Sequence, residues 1–187
     1  MTGSRKYRYL WWFILGITLV LFYTLAGTIG SGCSGNSNRQ TPGNKNPAPR
    51  VGDQAPDFSL PDLRGQIVSL QDHRGEVILL NFWTTWCRYC VKEMDLLEST
   101  HLNNEQIRVI TINVGEKEAL PRRFIEEKGF TFPVLLDQNG ELFQEYGLSA
   151  FPSTLIINKD GKISSIWIGA LDNSSLKGLL EKVSGSD

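Results

Sequence analysis

Continuous apolar runs alternate with mixed apolar and polar segments over most of the chain. Residues 76–83 form an almost continuous apolar run, and residues 107–114 are a second segment rich in Ile and Val, as is typical of strands buried on both faces of a sheet. Residues 91–101 place Met94, Leu97 and either His101 or Leu102 on one side of a helix. The pattern therefore predicts a strand–helix–strand unit at the centre of the chain.

The segments on either side of this unit complete a mixed sheet. Residues 58–70 are expected to form two short strands around a turn at Gly65, and residues 154–168 a hairpin that turns at residues 159–162. Because antiparallel strands follow a strand–helix–strand unit, we expect a mixed sheet covered by helices on both faces. The remaining predicted elements are helices at 118–128, 141–146 and 173–183 and a strand at 132–137.

The first thirty residues have a different character. Residues 10–29 are apolar with no charge, and Arg5, Lys6 and Arg8 precede them. Twenty helical residues span about 30 Å, the thickness of the hydrocarbon core of a bilayer. A cleaved signal peptide usually has a shorter apolar region, of about 7–15 residues. Residues 1–30 are therefore predicted to be a transmembrane anchor or signal segment, with the N-terminus in the cytoplasm.

Two forms of membrane attachment remain open. Cys33 follows the apolar run after small residues, as in a bacterial lipoprotein cleavage site, although Gly30 replaces the bulky aliphatic residue that this signal prefers. Residues 31–50 are rich in Ser, Gly, Asn and Pro and are predicted to be a flexible linker. Residues 51–187 then form the folded domain, which either kind of attachment places outside the cytoplasm.

Charge and cysteine content exclude several classes of function. The chain has 19 basic and 20 acidic side chains, and six of the basic ones but no acidic one lie in residues 1–50. The acidic remainder disfavours nucleic acid as a partner, because phosphate contacts need a surplus of Lys and Arg. Three cysteines are too few for a four-cysteine zinc site or a small disulfide-stapled fold.

The chemistry is expected at residues 86–90, where a buried strand gives way to a helix. Cys87 and Cys90 are two residues apart, so one helical turn brings the second sulfur within disulfide reach of the first. The helix N-terminus and the neighbouring Arg88 both favour a thiolate over a thiol. Cys87 is therefore predicted to be the exposed attacking thiolate, and Cys90 the thiol that resolves the mixed disulfide.

The cysteine pair has two other interpretations. A stabilising disulfide would close a very short loop, which gains little from cross-linking. A metal site would need further ligands, and neither His73 nor His101 lies at metal-ligand spacing.

Glu93, three residues after Cys90, either exchanges the proton of Cys90 or is a solvated partner of the helix dipole. Trp86 flanks the site and is a candidate for packing under a substrate.

Four ordered motifs give the chain a resemblance to a known family. They lie at residues 51–60, 79–90, 146–154 and 157–163. Together they resemble the exported, membrane-anchored TlpA/ResA-type thiol–disulfide oxidoreductases of the AhpC/TSA-redoxin superfamily, over residues 51–183. The resemblance implies an α/β thioredoxin fold, with a mixed β-sheet flanked by helices, an N-terminal β-hairpin and a central helix-containing insertion.

The resemblance also implies site residues. Pro152 would be a cis-proline facing the dithiol, and the extended backbone of Ala150 and Phe151 would bind a substrate segment, so that Phe151 and Pro152 join Trp86 as substrate-binding residues. The residues alone predict only a turn, in which trans is the default. Glu93 matches the active-site glutamate of the ResA-type branch.

Two departures from the pattern bear on the chemistry. Asn81 stands where thioredoxins carry a buried aspartate, so that group is not available to handle protons. Arg88 and Tyr89 lack the proline that is common between the cysteines in the family, and these positions tune the reduction potential.

The function implied by the resemblance is disulfide reduction in exported proteins, such as apocytochrome c during cytochrome c maturation. Electrons would come from a membrane dithiol donor, with no cofactor and no metal, and the host would be a bacterium with the catalytic domain outside the cytoplasmic membrane. Two alternatives are a thiol peroxidase, for which Thr84 fits but Leu80 replaces the required proline, and a tethered binding module with an idle cysteine pair.

Overall fold

The computed structural model of this protein describes residues 47–184. The strands and helices follow the order that the apolar pattern predicts, with a short 3-10 helix at Leu70–His73 that it does not. The strands are β1 Ser59–Pro61, β2 Ile67–Ser69, β3 Val77–Trp83, β4 Ile107–Val114, β5 Val134–Asp137, β6 Ser153–Ile157 and β7 Ile163–Ile168. The helices are α1 Arg88–Asn103, α2 Ala119–Lys128, α3 Glu141–Glu145 and α4 Asn173–Ser184.

The central sheet has five strands in the order β5-β4-β3-β6-β7. Strands β3, β4 and β5 are parallel, while β6 and β7 run antiparallel to their neighbours. Strands β1 and β2 form a separate antiparallel hairpin, as expected. This arrangement confirms the predicted thioredoxin-like fold, and α2, between β4 and β5, is the predicted insertion helix.

Strand β3 contributes to a core on each face of the sheet, because its side chains alternate between the two faces. Leu80 and Phe82 pack in the core on the side of α3 and the N-terminal hairpin. Leu79 and Trp83 pack in the other core, on the side of α1, α2 and α4. Since residues two apart in a strand share a face, Asn81 points to the α1 side. The same alternation therefore places one polar residue of β3 beneath the helix that carries the cysteines.

The ends of two helices are fixed by side chains. Cys87 is the N-cap of α1, which begins three residues earlier than the apolar spacing indicates. Asp172 accepts hydrogen bonds from the Ser175 backbone N–H and the Ser174 hydroxyl, each at 2.7 Å, and so caps α4. Pro121 lies in the first turn of α2, where its missing N–H costs nothing.

The predictions for residues 1–46 lie outside the described residues, including the anchor, most of the linker and Cys33. Between residues 47 and 184, no helix combines the length and the apolar character needed to cross a bilayer. The anchor, the linker and the domain boundaries stay predictions.

Candidate active site

The two cysteines lie where β3 passes into α1, and a disulfide joins them. Their Cα atoms are 5.2 Å apart, and the backbone N–H of Cys90 donates to Cys87 Sγ at 3.2 Å. Cys90 is fully buried, whereas 7% of Cys87 remains exposed. Cys87 is the more exposed of the two, as predicted, but it is far less exposed than the prediction of an accessible thiolate requires. Cys87 is largely covered because it belongs to the core on the α1 side.

Glu93 lies one turn after Cys90 on the same helix and is 1% exposed. The alternative of a solvated first-turn glutamate is therefore wrong. Its two carboxylate oxygens accept hydrogen bonds from Asn81 Nδ2 at 2.8 Å and from the backbone N–H of Leu171 at 2.7 Å. Burial raises the pKa of Glu93 to about 7, and the Leu171 and Asn81 hydrogen bonds offset only part of that effect. A carboxyl of this kind can take or give a proton near neutral pH.

Apolar side chains surround the disulfide at the surface. Trp86 is 69% exposed and meets the ring of Phe151 edge to face, with centroids 5.9 Å apart. Tyr89, between the cysteines, is exposed as well. Phe151 packs against the core that contains both cysteines, and its peptide bond to Pro152 is cis, as the resemblance implied. The predicted substrate-binding residues are thus brought together beside the sulfur pair.

A second buried carboxylate holds the loop that leads to Cys87, and the sequence analysis missed it. Glu116 accepts hydrogen bonds from the Thr85 backbone N–H at 2.7 Å, the Thr85 hydroxyl at 2.6 Å and Asn113 Nδ2 at 2.7 Å. Its position just after β4 could have revealed it. The carboxyl ends of adjacent parallel strands meet at one edge of the sheet, so a residue after β4 lies near the loop that follows β3. This contact joins the active-site loop to the start of the insertion.

His73 has no part in the site, since it is partly buried and contacts Glu76 at 3.1 Å. Trp83, near the end of β3, is fully buried in the same core as the two cysteines and presents no surface to a substrate. Within residues 47–184, no group of three His, Cys, Asp or Glu side chains is arranged to hold a metal ion.

A thioredoxin-like fold that sets a two-cysteine disulfide at the N-terminus of a helix, with a buried carboxyl one turn on, defines the class of thiol–disulfide oxidoreductases. Residues 51–166 match the AhpC/TSA family, and the chain belongs to that family.

The proteins to which this chain is similar support the same class. The chain is 36% identical over 135 residues to the thiol–disulfide oxidoreductase ResA of Geobacillus thermodenitrificans, covering 71% of this chain and 78% of that protein. The crystal structure of StoA from Bacillus subtilis superposes with a TM-score of 0.59 at 27% identity, covering 67% of this chain and 97% of that one. The exposed lipoprotein thioredoxin Etrx1 of Streptococcus pneumoniae has a TM-score of 0.59 at 28% identity, with coverages of 67% and 99%. The protein is therefore a ResA-like thiol–disulfide oxidoreductase.

Proposed function

We propose that this protein reduces disulfide bonds in exported proteins outside the cytoplasmic membrane, apocytochrome c among them. The observation that carries the direction of electron flow is the buried carboxyl of Glu93, one helical turn from Cys90. Oxidising members of the thioredoxin-like class owe their potential to a stabilised reduced form. A neighbouring carboxylate disfavours thiolates, so it favours the disulfide form of this protein and makes the dithiol the stronger reductant.

The apolar surface around the sulfur pair supports a protein substrate. Trp86 and Tyr89 stand exposed beside Cys87, and Phe151 packs against Trp86. Exposed aromatic side chains of this size are typical of contact sites for protein chains. The backbone around Phe151 would align an extended segment with Cys87, as the family resemblance implies.

The reaction transfers two electrons from the dithiol to the substrate. The Cys87 thiolate attacks one sulfur of the substrate disulfide, an S–S bond forms between them, and the other substrate sulfur leaves as a thiolate. Cys90 then gives its proton to the Glu93 carboxylate and attacks Cys87 Sγ. The Cys87–Cys90 bond forms and the second substrate sulfur leaves, taking the proton from Glu93. The first substrate thiolate takes its proton from solvent, which received one when Cys87 ionised.

The place of action is proposed from the N-terminal segment. The apolar run at residues 10–29, preceded by three basic residues, supports an anchor with the catalytic domain outside. The Etrx1 relative is described as an exposed lipoprotein, which supports an extracytoplasmic site for this chain and makes lipidation of Cys33 the alternative attachment. Regeneration of the Cys87–Cys90 dithiol there would draw electrons from a dithiol protein of the membrane.

Disulfide exchange with variants tests the two sulfur roles. The intact chain in mild detergent, reduced beforehand, should cleave the disulfide of oxidised apocytochrome c. Cys87→Ser should abolish this reaction, whereas Cys90→Ser should accumulate a mixed disulfide that is visible on a non-reducing gel. Full turnover by Cys87→Ser would refute the proposal.

The direction of electron flow needs a separate measurement. Equilibration with redox buffers, followed by tryptophan fluorescence, should give a potential near that of thioredoxin, about −270 mV. A potential near that of the strong oxidants, about −120 mV, would mean that the protein forms disulfides instead.

A further inference from the structure

The amide of Asn81 occupies a specific place beneath the dithiol. It is fully buried, and its Nδ2 donates both to Glu93 Oε1 at 2.8 Å and to Thr154 Oγ1 at 2.9 Å. Its Oδ1 has no hydrogen-bond partner among the described residues. Thr154 lies opposite Asn81 in the β3–β6 register and is itself fully buried. Two adjacent strands thus place one amide against the carboxyl of Glu93 and one hydroxyl against that amide.

We propose that Asn81, supported by Thr154, is the positioning residue that sets the protonation equilibrium of Glu93 during disulfide exchange. Asn81 does not touch the sulfurs in this role; it acts through the carboxyl. The inference rests on the proposed part of Glu93 in accepting the proton of Cys90.

An amide suits this position because it carries a donor and an acceptor. The structure has Nδ2 donating to Glu93 Oε1, which is the arrangement that suits an ionised carboxylate. When Glu93 is protonated, a half-turn of the amide puts Oδ1 in the place of Nδ2, where it accepts from the carboxyl O–H. The Thr154 hydroxyl can accept from Nδ2 or donate to Oδ1, so it pairs with the amide in both orientations. Asn81 can therefore follow the proton on Glu93.

The remaining surroundings of Glu93 leave this control to Asn81. From the loop before α4, the Leu171 backbone N–H donates to Oε2. Every residue except proline has such an N–H, so this hydrogen bond does not depend on which side chain is at position 171. On the same helix, Cys90 is the titratable neighbour once it is reduced. The groups that shift the protonation of Glu93 include no charged side chain. Of these neutral partners, Asn81 is the one whose side chain bonds the carboxyl directly.

The test is the pH dependence of single-turnover oxidation. The reduced intact chain is mixed with oxidised apocytochrome c between pH 5 and 9, and the formation of the Cys87–Cys90 disulfide is followed by tryptophan fluorescence. The wild-type rate should have a midpoint near pH 7 that is absent in Glu93→Gln. Asn81→Leu keeps the branched shape and adds no titratable group, but it removes the donor to the ionised carboxylate, so the midpoint should rise by about one pH unit or more.

A matched variant separates proton control from loss of buried structure. Thr154→Val removes the other partner of the same amide and leaves the Asn81–Glu93 hydrogen bond in place. Its midpoint should move by less than half the shift seen for Asn81→Leu, and Thr154→Ser should behave as wild type. If Asn81→Leu does not fold, Asn81→Asp keeps the shape and places a second carboxylate beside Glu93, which also raises the midpoint.

Each result separates this inference from the proposed function. An unmoved midpoint in the folded Asn81 variant, with the Glu93→Gln effect intact, would overturn the role of Asn81 and leave disulfide reduction standing. Equal shifts for Asn81→Leu and Thr154→Val would likewise overturn it, because both would then act by general loosening of the core. A wild-type protein that reduces no disulfide would overturn the proposed function itself.

Discussion

Glu93 and Glu116 are both buried carboxylates at the end of the sheet that carries the sulfur pair, yet their surroundings differ. Glu93 lies under α1 and accepts two hydrogen bonds, one from a backbone N–H and one from an amide. Glu116 lies beside the loop before Cys87 and accepts three, two of which come from Thr85. One carboxyl thus faces the core beneath the helix, and the other faces the backbone of the active-site loop.

The difference lies in what each carboxyl is bonded to. The two donors to Glu93 do not offset its burial, so its pKa is raised to about 7 and its charge is easily lost or gained. The three donors to Glu116 tie two loops together, the one before Cys87 and the one before the insertion helix. We infer that burial at this edge serves proton exchange in one case and fixed geometry in the other. Under the proposed function, the same residue type would therefore have two different roles close to the disulfide.

The largest effect should follow from neutralising Glu93. Glu93→Gln keeps the shape of the side chain but cannot accept a proton from Cys90, so disulfide exchange with oxidised apocytochrome c should slow by about 10²-fold at pH 7. Stopped-flow fluorescence of the reduced intact chain measures this rate. Glu116→Gln is the matched control, and its rate should stay within about threefold of wild type. Equal losses in the two variants would erase the distinction drawn between the carboxyls.

The stability of the oxidised protein should report the raised pKa of Glu93. Because its folded pKa of about 7 exceeds the ordinary value of 4.5, the folded state binds more protons than the unfolded state between these values. The contribution of Glu93 is therefore complete below about pH 4.5 and is lost as pH rises through about 7, at a cost of about 3 kcal/mol. Urea unfolding at several pH values should show this loss in wild type.

The Glu93→Gln variant calibrates that measurement. Relative to wild type, its free energy of unfolding should rise with pH over the same window, because a glutamine has no proton to lose. A difference between the two proteins that is constant from pH 4 to pH 8.5 would show that Glu93 is not the titrating group.

The sequence predicted the fold and the sulfur pair because both depend on local patterns. Apolar runs such as 76–83 indicate buried strands, and the Cys87–Cys90 spacing needs only one helical turn. The degree to which Cys87 is covered could not be predicted in this way, since it depends on packing against residues distant in sequence.

The hydrogen bonds between the polar residues of the site escaped prediction for the same reason. Asn81 and Thr154 are 73 residues apart and meet only because β3 pairs with β6. Glu116 reaches Thr85 across 31 residues through the parallel pairing of β3 and β4. The alternation of β3 indicates which face Asn81 occupies, but a single sequence does not specify which strands become neighbours.

The hydrogen bonds of Glu116 to the loop before Cys87 should contribute about 2 kcal/mol to the free energy of unfolding. Glu116→Ala leaves the Thr85 N–H, the Thr85 hydroxyl and the Asn113 amide without their acceptor, which costs about this much at a buried site. Glu116→Gln should restore stability, since its oxygen can accept from the N–H and from Asn113 while its amide donates to the Thr85 hydroxyl. Urea unfolding of the two variants measures the difference. A glutamine variant as unstable as the alanine variant would mean that the charge, and not the hydrogen bonds, holds the loop.

The smallest effect should come from the Thr85 hydroxyl. Thr85→Val removes the hydrogen bond to Glu116 Oε1 but leaves the backbone N–H bonded to Oε2. The loop should therefore keep its path, and the loss of stability should be about 1 kcal/mol, with Thr85→Ser close to wild type. If Thr85→Val instead destabilises the protein as much as Glu116→Ala, the hydroxyl is the principal link between the two loops. The hydrogen bond from the Thr85 backbone N–H would then contribute little to holding the two loops together.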